Sequence, residues 1–509
     1  MSNPLKPIRR VVQIIFLLMF LWFFWQARWH GVGQTAPQQP FLRMDALSAI
    51  ATWLAPTPRP WGPFLPALAI LVVTLLLGRV FCGWMCPLGT VIDIFDSLLL
   101  RKHRKRPEHL NRPAWKYYVL GLSLAAALMG THLFWIVDPI PLLTRVCAVV
   151  LYPLAVGAYN VGVTVGWPVL KAAGLRLYPT DIDPGFSLNI AVSVVFAVVL
   201  GLSVLSRRYW CRTLCPLGAL LAFFGRFGLM RRTVSGCVKC RGCVGECKMG
   251  AIPPPEQEDG DYARTLSAEC IQCFDCLVCP QEGISAIGPA LSAGATDART
   301  GAGRRRFIGS LGLGLTYAAT ASAGGGRKAT HERLIRPPGA FLRDADGGMR
   351  NMSEKQFRDL CLRCGACMKA CITGGIQPAV VEAGFDGLFT PILVPKIGYC
   401  EQACTACGDV CPSGALRPFG MEEKKDIRIG LATVNQNMCL SWRRGELYRL
   451  CLVCDEHCPY DAIRVIDNHD GEMAPFVDPD VCVGCGQCEN ACPAKPEAAI
   501  VVRRDDVSI

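Results

Sequence analysis

The stretch Cys482-Val-Gly-Cys485-Gly-Gln-Cys488-Glu-Asn-Ala-Cys492-Pro493 decides the reading of this chain. Three thiols two residues apart wrap three corners of a four-iron cube, and a fourth, followed by proline, reaches a neighbouring centre. The motif recurs. Upstream stand Cys237-x2-Cys240-x2-Cys243-x3-Cys247 and Cys270-x2-Cys273-x2-Cys276-x2-Cys279-Pro280. Then come Cys361-x2-Cys364-x2-Cys367-x3-Cys371 and Cys400-x3-Cys404-x2-Cys407-x3-Cys411-Pro412, followed by Cys439-x11-Cys451-x2-Cys454-x3-Cys458-Pro459. Six runs of four supply thiolates for about six [4Fe–4S] clusters with none left over.

Zinc ribbons need two CxxC pairs and no triplet, and thiols this crowded do not suit a disulfide framework. Several runs depart from the usual pattern. Lys248 and Ile372 replace the proline, Cys276 and Cys279 are one residue closer, and the first gap of the fifth run stretches to eleven. The first two runs are expected to exchange ligands: Cys237, Cys240, Cys243 and Cys279 on one cube, Cys270, Cys273, Cys276 and Cys247 on the other. For the four later runs, spacing leaves adjacent and nested pairings both open.

The chain is 509 residues long, 51% apolar, with a net charge of +12 and a mean hydropathy of +0.30. Uncharged apolar stretches run from Val11 to Gln26, Trp61 to Gly78, Tyr117 to Val137 and Gly185 to Ser206. They predict four membrane spans. Lys6, Arg9 and Arg10 precede the first; Arg101, Lys102, Arg104, Lys105 and Arg106 follow the second; Arg207, Arg208, Arg212, Arg231 and Arg232 follow the fourth. By the positive-inside rule these segments are cytoplasmic, and the basic charge needs no nucleic-acid partner. Val146 to Val169, broken by Pro153, glycines and Pro168, reads as an interfacial or re-entrant piece.

Arg304-Arg305-Arg306-Phe307, a weakly apolar segment from Gly309 and the ending Ala321-Ser322-Ala323 read as an internal twin-arginine signal or anchor, a fifth span. Sixteen downstream thiols exported unfolded would meet an oxidising compartment, and cluster binding couples to folding, so export of folded protein suits them. The expected layout is a four-span α-helical membrane domain (1–230), a cytoplasmic two-cluster α+β ferredoxin domain (231–288), a linker carrying the signal (289–338) and a periplasmic four-cluster domain (339–509).

Two near-copies, Cys82-Gly-Trp-Met-Cys86-Pro and Cys211-Arg-Thr-Leu-Cys215-Pro, stand at the ends of the second and fourth spans. Spacing of four puts each pair on one face if the segment is helical, making Cys82, Cys86, Cys211 and Cys215 a candidate additional redox or metal site. Cys147 reads as a buried small hydrophobe. His30 and His132 fall near span ends as a conceivable haem pair, without a CxxCH site, and Trp135, Asp138 and His132 mark a conceivable quinone pocket.

With these motifs in place, residues 1 to about 288 resemble the NapH-type membrane ferredoxin proteins of periplasmic nitrate reductase systems. Residues from about 304 onward resemble the NapG and MauM ferredoxin-type family, through the twin arginines, Arg336-Pro-Pro-Gly339, the run from Cys361 and the long gap after Cys439. The resemblance implies an electron carrier of the bacterial inner membrane, taking electrons from quinol and passing them to a periplasmic reductase, dehydrogenase or c-type cytochrome. An alternative is a redox maturation factor for a periplasmic metalloenzyme. No substrate-converting site of its own is read. Iron and acid-labile sulfide assays are expected to return about six cubes per chain, or about 24 irons.

Overall fold

The computed structural model describes residues 5–28, 30–31, 34–37, 39–54, 64–99, 114–128, 136–172, 174, 176–180, 185–234, 237–253, 262, 264–278, 285–289, 309, 312, 315–316, 334–343, 348–468 and 471–504. It divides into two compact units: 1–24, 39–143 and 194–323 in the first, 25–38, 144–193 and 324–509 in the second. Arg101, Lys102, Arg104, Lys105, Arg106, His132, Trp135, Cys279, Arg304 to Arg306 and Ala321 to Ala323 lie outside the described residues.

In the first unit, Leu5–Gln26, Leu65–Leu77 and Trp115–Leu128 are helices, and Met230–Val234 pairs antiparallel with Ser285–Pro289. That two-stranded ribbon brackets the first two cysteine runs, one strand before them and one after. Three buried charge clusters hold the run-bearing loops to helix ends. Arg9 Nη2 donates to Asp275 at 3.0 Å, both side chains fully buried. Glu269 is gripped by Lys116 and, at 3.3 Å, by Arg79. Asp93 accepts from Arg208 at 2.8 Å and Lys248 at 2.9 Å. A buried charge tolerates removal from water only when paired this way, and losing one partner leaves the other stranded. Arg9 and Arg208, which the positive-inside count treats only as topology markers, are therefore also structural.

Among the described residues two helices, Leu5–Gln26 and Pro139–Pro168, are long and apolar enough to cross a membrane. The apolar helices Leu65–Leu77 and Asn189–Val204 are shorter than that, and of the stretch from Tyr117 to Val137 the helix is described only to Leu128. The expected break between Val146 and Val169 is absent: the helix runs on through it. A π-turn over Cys147–Leu151 precedes Pro153, and its wider coil takes the proline ring that a regular α-turn would crowd.

The second unit is built from short antiparallel pairs: Phe341–Arg343 with Met349–Asn351, Ile376–Pro378 with Pro391–Leu393, Leu431–Val434 with Ile500–Arg503, and Ile463–Asp467 with Met473–Val477. The pairing of 431–434 with 500–503 brackets the last two cysteine runs, as the ribbon in the first unit brackets its own. Its core is lean, with Ala432, Ala462, Ile463, Ile500 and Val502 packed against Cys454, Cys482 and Cys488. The cysteines are the centre of that core rather than its surface.

Gly83 tests the close packing of the first unit. Gln13 Nε2 donates to its carbonyl at 2.9 Å, Trp84 beside it donates to the carbonyl of Gln272 at 2.8 Å, and a Cβ at Gly83 would collide with the carbonyl oxygen of Ile271. Gly83→Ala is expected to lower the melting stability of the unit by about 1–3 kcal/mol. It should also weaken the low-temperature EPR signals of the first two runs while sparing the other four.

Candidate iron–sulfur centres

Four of the runs fold as they do because of two left-handed residues flanking their second cysteine. In the first run these are Lys239 and Arg241, in the second Gln272 and Phe274, in the third Arg363 and Gly365, in the last Gly484 and Gly486. Alternating handedness turns successive N–H groups toward one concavity, a nest suited to an anionic centre. A short helix follows three of them: Gly242–Glu246, Ala366–Ala370 and Gln487–Ala491. Its first turn carries the third cysteine, and its C-cap is the fourth. The fourth and fifth runs, with stretched first gaps, have no positive φ beside their second cysteine.

The fourth cysteine of each described run leaves its own triplet. Cys247 lies within electrostatic reach of Cys270, Cys273 and Cys276, while Cys243 faces Cys237 and Cys240. Cys411 faces Cys361, Cys364 and Cys367, and Cys371 faces Cys400, Cys404 and Cys407. One cavity is lined by Cys439, Cys451, Cys454 and Cys492, another by Cys458, Cys482, Cys485 and Cys488. Of the pairings that spacing left open, the structure adopts the adjacent one twice and the nested one not at all.

These groups fit cubane centres. Burial pushes the Cys361 thiol up to about 11 and Cys364 and Cys454 up to about 12, so each ionises only with a cation among its neighbours. Iron supplies that charge, and loading the site releases protons. Four of the fourth cysteines also accept backbone N–H bonds at sulfur: Cys247 from Ala251 at 3.2 Å, Cys411 from Leu416 at 3.4 Å, Cys458 from Ala462 and Cys492 from Ala499 at 3.3 Å. Such bonds raise the potential of a centre held there. Among the described residues no three His, Cys, Asp or Glu side chains converge as a single ion would require. A cube spreads its thiolates more widely than the metal–sulfur shell of about 2.3 Å around one zinc.

The four groups of the second unit stand in series. Cys367 is within reach of Cys407 in the next group. The Cys400 N–H donates to the Cys485 carbonyl at 2.8 Å, and half-buried Tyr460 senses Cys400, Cys485 and Cys458 at once. Cys488 in turn senses Cys454. The order is therefore 361/364/367/411, then 371/400/404/407, then 458/482/485/488, then 439/451/454/492. It is not the order of the runs in the chain.

Cys82, Cys86, Cys211 and Cys215 do come together, since Cys215 feels the other three. They do not share helix faces as expected. Cys82 lies in the π-turn Phe81–Met85 and Cys211 in the helix Tyr209–Thr213, while Cys86 and Cys215 cap the helices Pro87–Leu98 and Pro216–Gly225. The proline after each second cysteine enforces the break, because proline suits a first helical turn. Cys147 is buried, as its apolar neighbours suggest. His30 bonds the Gln26 carbonyl at 2.9 Å, a local helix-end contact, and Asp138 is buried and accepts from Ser48 at 3.3 Å.

Comparison with known proteins adds the family. A model described as a 4Fe-4S binding domain matches residues 60–107 and 188–235, covering both CxxxCP segments, and a 4Fe-4S dicluster domain model matches 449–495. The ferredoxin-type protein NapG of Escherichia coli K12 is 34% identical over 203 residues, 37% of this chain and 81% of the relative. The methylamine utilization ferredoxin-type protein MauM of Paracoccus denitrificans is 33% identical over 184 residues, 34% of this chain and 73% of the relative. MauN from the same organism is 28% identical over 242 residues, 47% of this chain and 71% of the relative. No solved structure matches.

Ligand exchange has a direct signature. Cys371→Ser is expected to remove the centre of the Cys400 run and leave that of its own run intact. Cys411→Ser should do the reverse. Each costs about four irons per chain, read by iron assay with EPR redox titration.

Proposed function

We propose, for a chain that belongs to the ferredoxin-type NapG and MauM family, that it is a membrane-bound electron carrier with about six [4Fe–4S] centres, held by the 24 cysteines of the six runs. It oxidises membrane quinol and feeds a periplasmic reductase, dehydrogenase or c-type cytochrome. The observation that carries this reading is the series arrangement of four thiol groups in one compact unit. A structural role needs no such ordering; conduction does.

In this reading the N-terminal half is NapH-type, with four spans in the bacterial inner membrane and a two-cluster ferredoxin domain at 231–288 on the cytoplasmic side. The first span supports membrane residence by length and composition. A twin-arginine signal at Arg304–Arg306 delivers the folded domain at 339–509 to the periplasm. Cys82, Cys86, Cys211 and Cys215 form an additional thiol site. Joining both parts in one chain removes a diffusional encounter by raising effective concentration.

Quinol loses two protons and two electrons, and one-electron centres accept those electrons singly. In anaerobic membranes, a reduced short-chain quinol is expected to bleach the iron–sulfur absorbance of the chain within seconds. Centres that stay oxidised with every quinol tested, together with a partner enzyme that is metal-poor in a separate deletion strain, would instead favour a maturation factor.

A further inference from the structure

A cavity of about 410 Å3 opens within the second unit, walled by Trp25, Arg28, Tyr152, Tyr159, Lys369 and Cys371. We infer that it binds the ring of a quinone or quinol, against the cysteine that completes the thiol group of the Cys400 run. This rests on the quinol reading above and says where on the chain that ring sits. It is a different place from the conceivable pocket at Trp135, Asp138 and His132.

The volume is in the range of small-molecule sites, which combine apolar and aromatic walls with a few placed polar groups. The aromatic walls are held in position. Trp25 and Tyr152 meet edge to face at 6.4 Å, and the Lys369 ammonium lies 5.9 Å and 5.8 Å from their ring centres. Lys369 Nζ also donates to the carbonyls of Trp25 at 2.8 Å and Ala27 at 3.0 Å, pinning the cysteine-bearing loop to the end of the first long helix. On the other side, the Tyr159 hydroxyl donates to the Tyr178 carbonyl at 3.2 Å, and the Asn160 side chain accepts from Thr180 N–H at 2.9 Å. The site is thus assembled before any ligand arrives.

Two features select a quinone over other apolar ligands. Arg28 brings cationic N–H donors to the wall, which suits the carbonyl and hydroxyl oxygens of the ring. Cys371 in the wall puts the ring beside a one-electron centre, so electrons would enter at the second group of the series and not at an end.

The test uses the full-length, cluster-loaded protein in phospholipid nanodiscs with a short-chain azidoquinone photolabel. The label is expected on peptides containing residues 152–159 and 369–372, and a non-photoreactive quinone analogue should displace it. Ala155→Trp fills the cavity from an exposed position. It is expected to weaken analogue binding by about tenfold or more, with iron, sulfide and EPR signals unchanged, and Arg28→Gln by a smaller factor. Label found elsewhere while quinol still reduces the centres overturns this site and leaves the quinol reading standing. Displacement by added phospholipid alone, with no preference for quinone, makes the cavity a lipid crevice and also overturns it. Absence of both labelling and quinol reduction defeats the two readings together.

Discussion

Thiolate ligation across adjacent runs is the constraint on which the rest of this protein depends. The second unit has strands of three to five residues and helices of four to seven in its cysteine-bearing part. Elements so short bury too little apolar surface to offset their own ordering entropy. Its central hydrophobic cluster contains Cys454, Cys482 and Cys488 as core members, with Cys400, Cys458 and Cys492 packed on it. Iron–sulfur cubes therefore act as the missing core, as structural metals do in other small domains. Because each fourth cysteine crosses to its partner run, the two centres of a pair are mechanically interlocked.

The first unit meets a different problem with charge. Its cluster loops lie against helix ends, where backbone polar groups and basic residues meet. Arg9 with Asp275, Arg79 and Lys116 with Glu269, and Arg208 and Lys248 with Asp93 neutralise one another out of water. Buried pairs of this kind add little net stability, but they penalise misplacement heavily. They specify where each loop sits. Gly83 completes the fit by letting the helix backbone approach the loop of the second run at Ile271.

Serial order gives the thiol groups of the second unit a direction that the chain does not have. The run from Cys439 comes third of four in sequence and last in space, because its partner run from Cys482 sits between it and the Cys400 run. Contacts that make this so are the backbone hydrogen bond from Cys400 to Cys485 and that of the Asn490 side chain to the Pro395 carbonyl at 2.9 Å, with Tyr460 beside them. Amide donors to Cys411, Cys458 and Cys492 recur along the series, so the potentials of neighbouring centres are set by similar local chemistry.

Cysteine number, their grouping in fours and the crossing of Cys247 to the second run were legible in sequence, because the local reach of a CxxCxxC loop around a cube is a matter of chain geometry alone. So was the apolar character of Leu5–Gln26, since hydropathy needs no neighbours. Adjacent pairing of the later runs was not legible, because it depends on which strands meet: 431–434 finds 500–503 only in three dimensions. The break between Cys82 and Cys86 and the continuity of the helix through Pro153 depend on turn widths that a linear pattern does not encode. The cavity at Cys371 draws its walls from residues more than 340 positions apart, Trp25 and Lys369. Only packing could bring those together, since each alone reads as an ordinary helix-end aromatic or a surface cation.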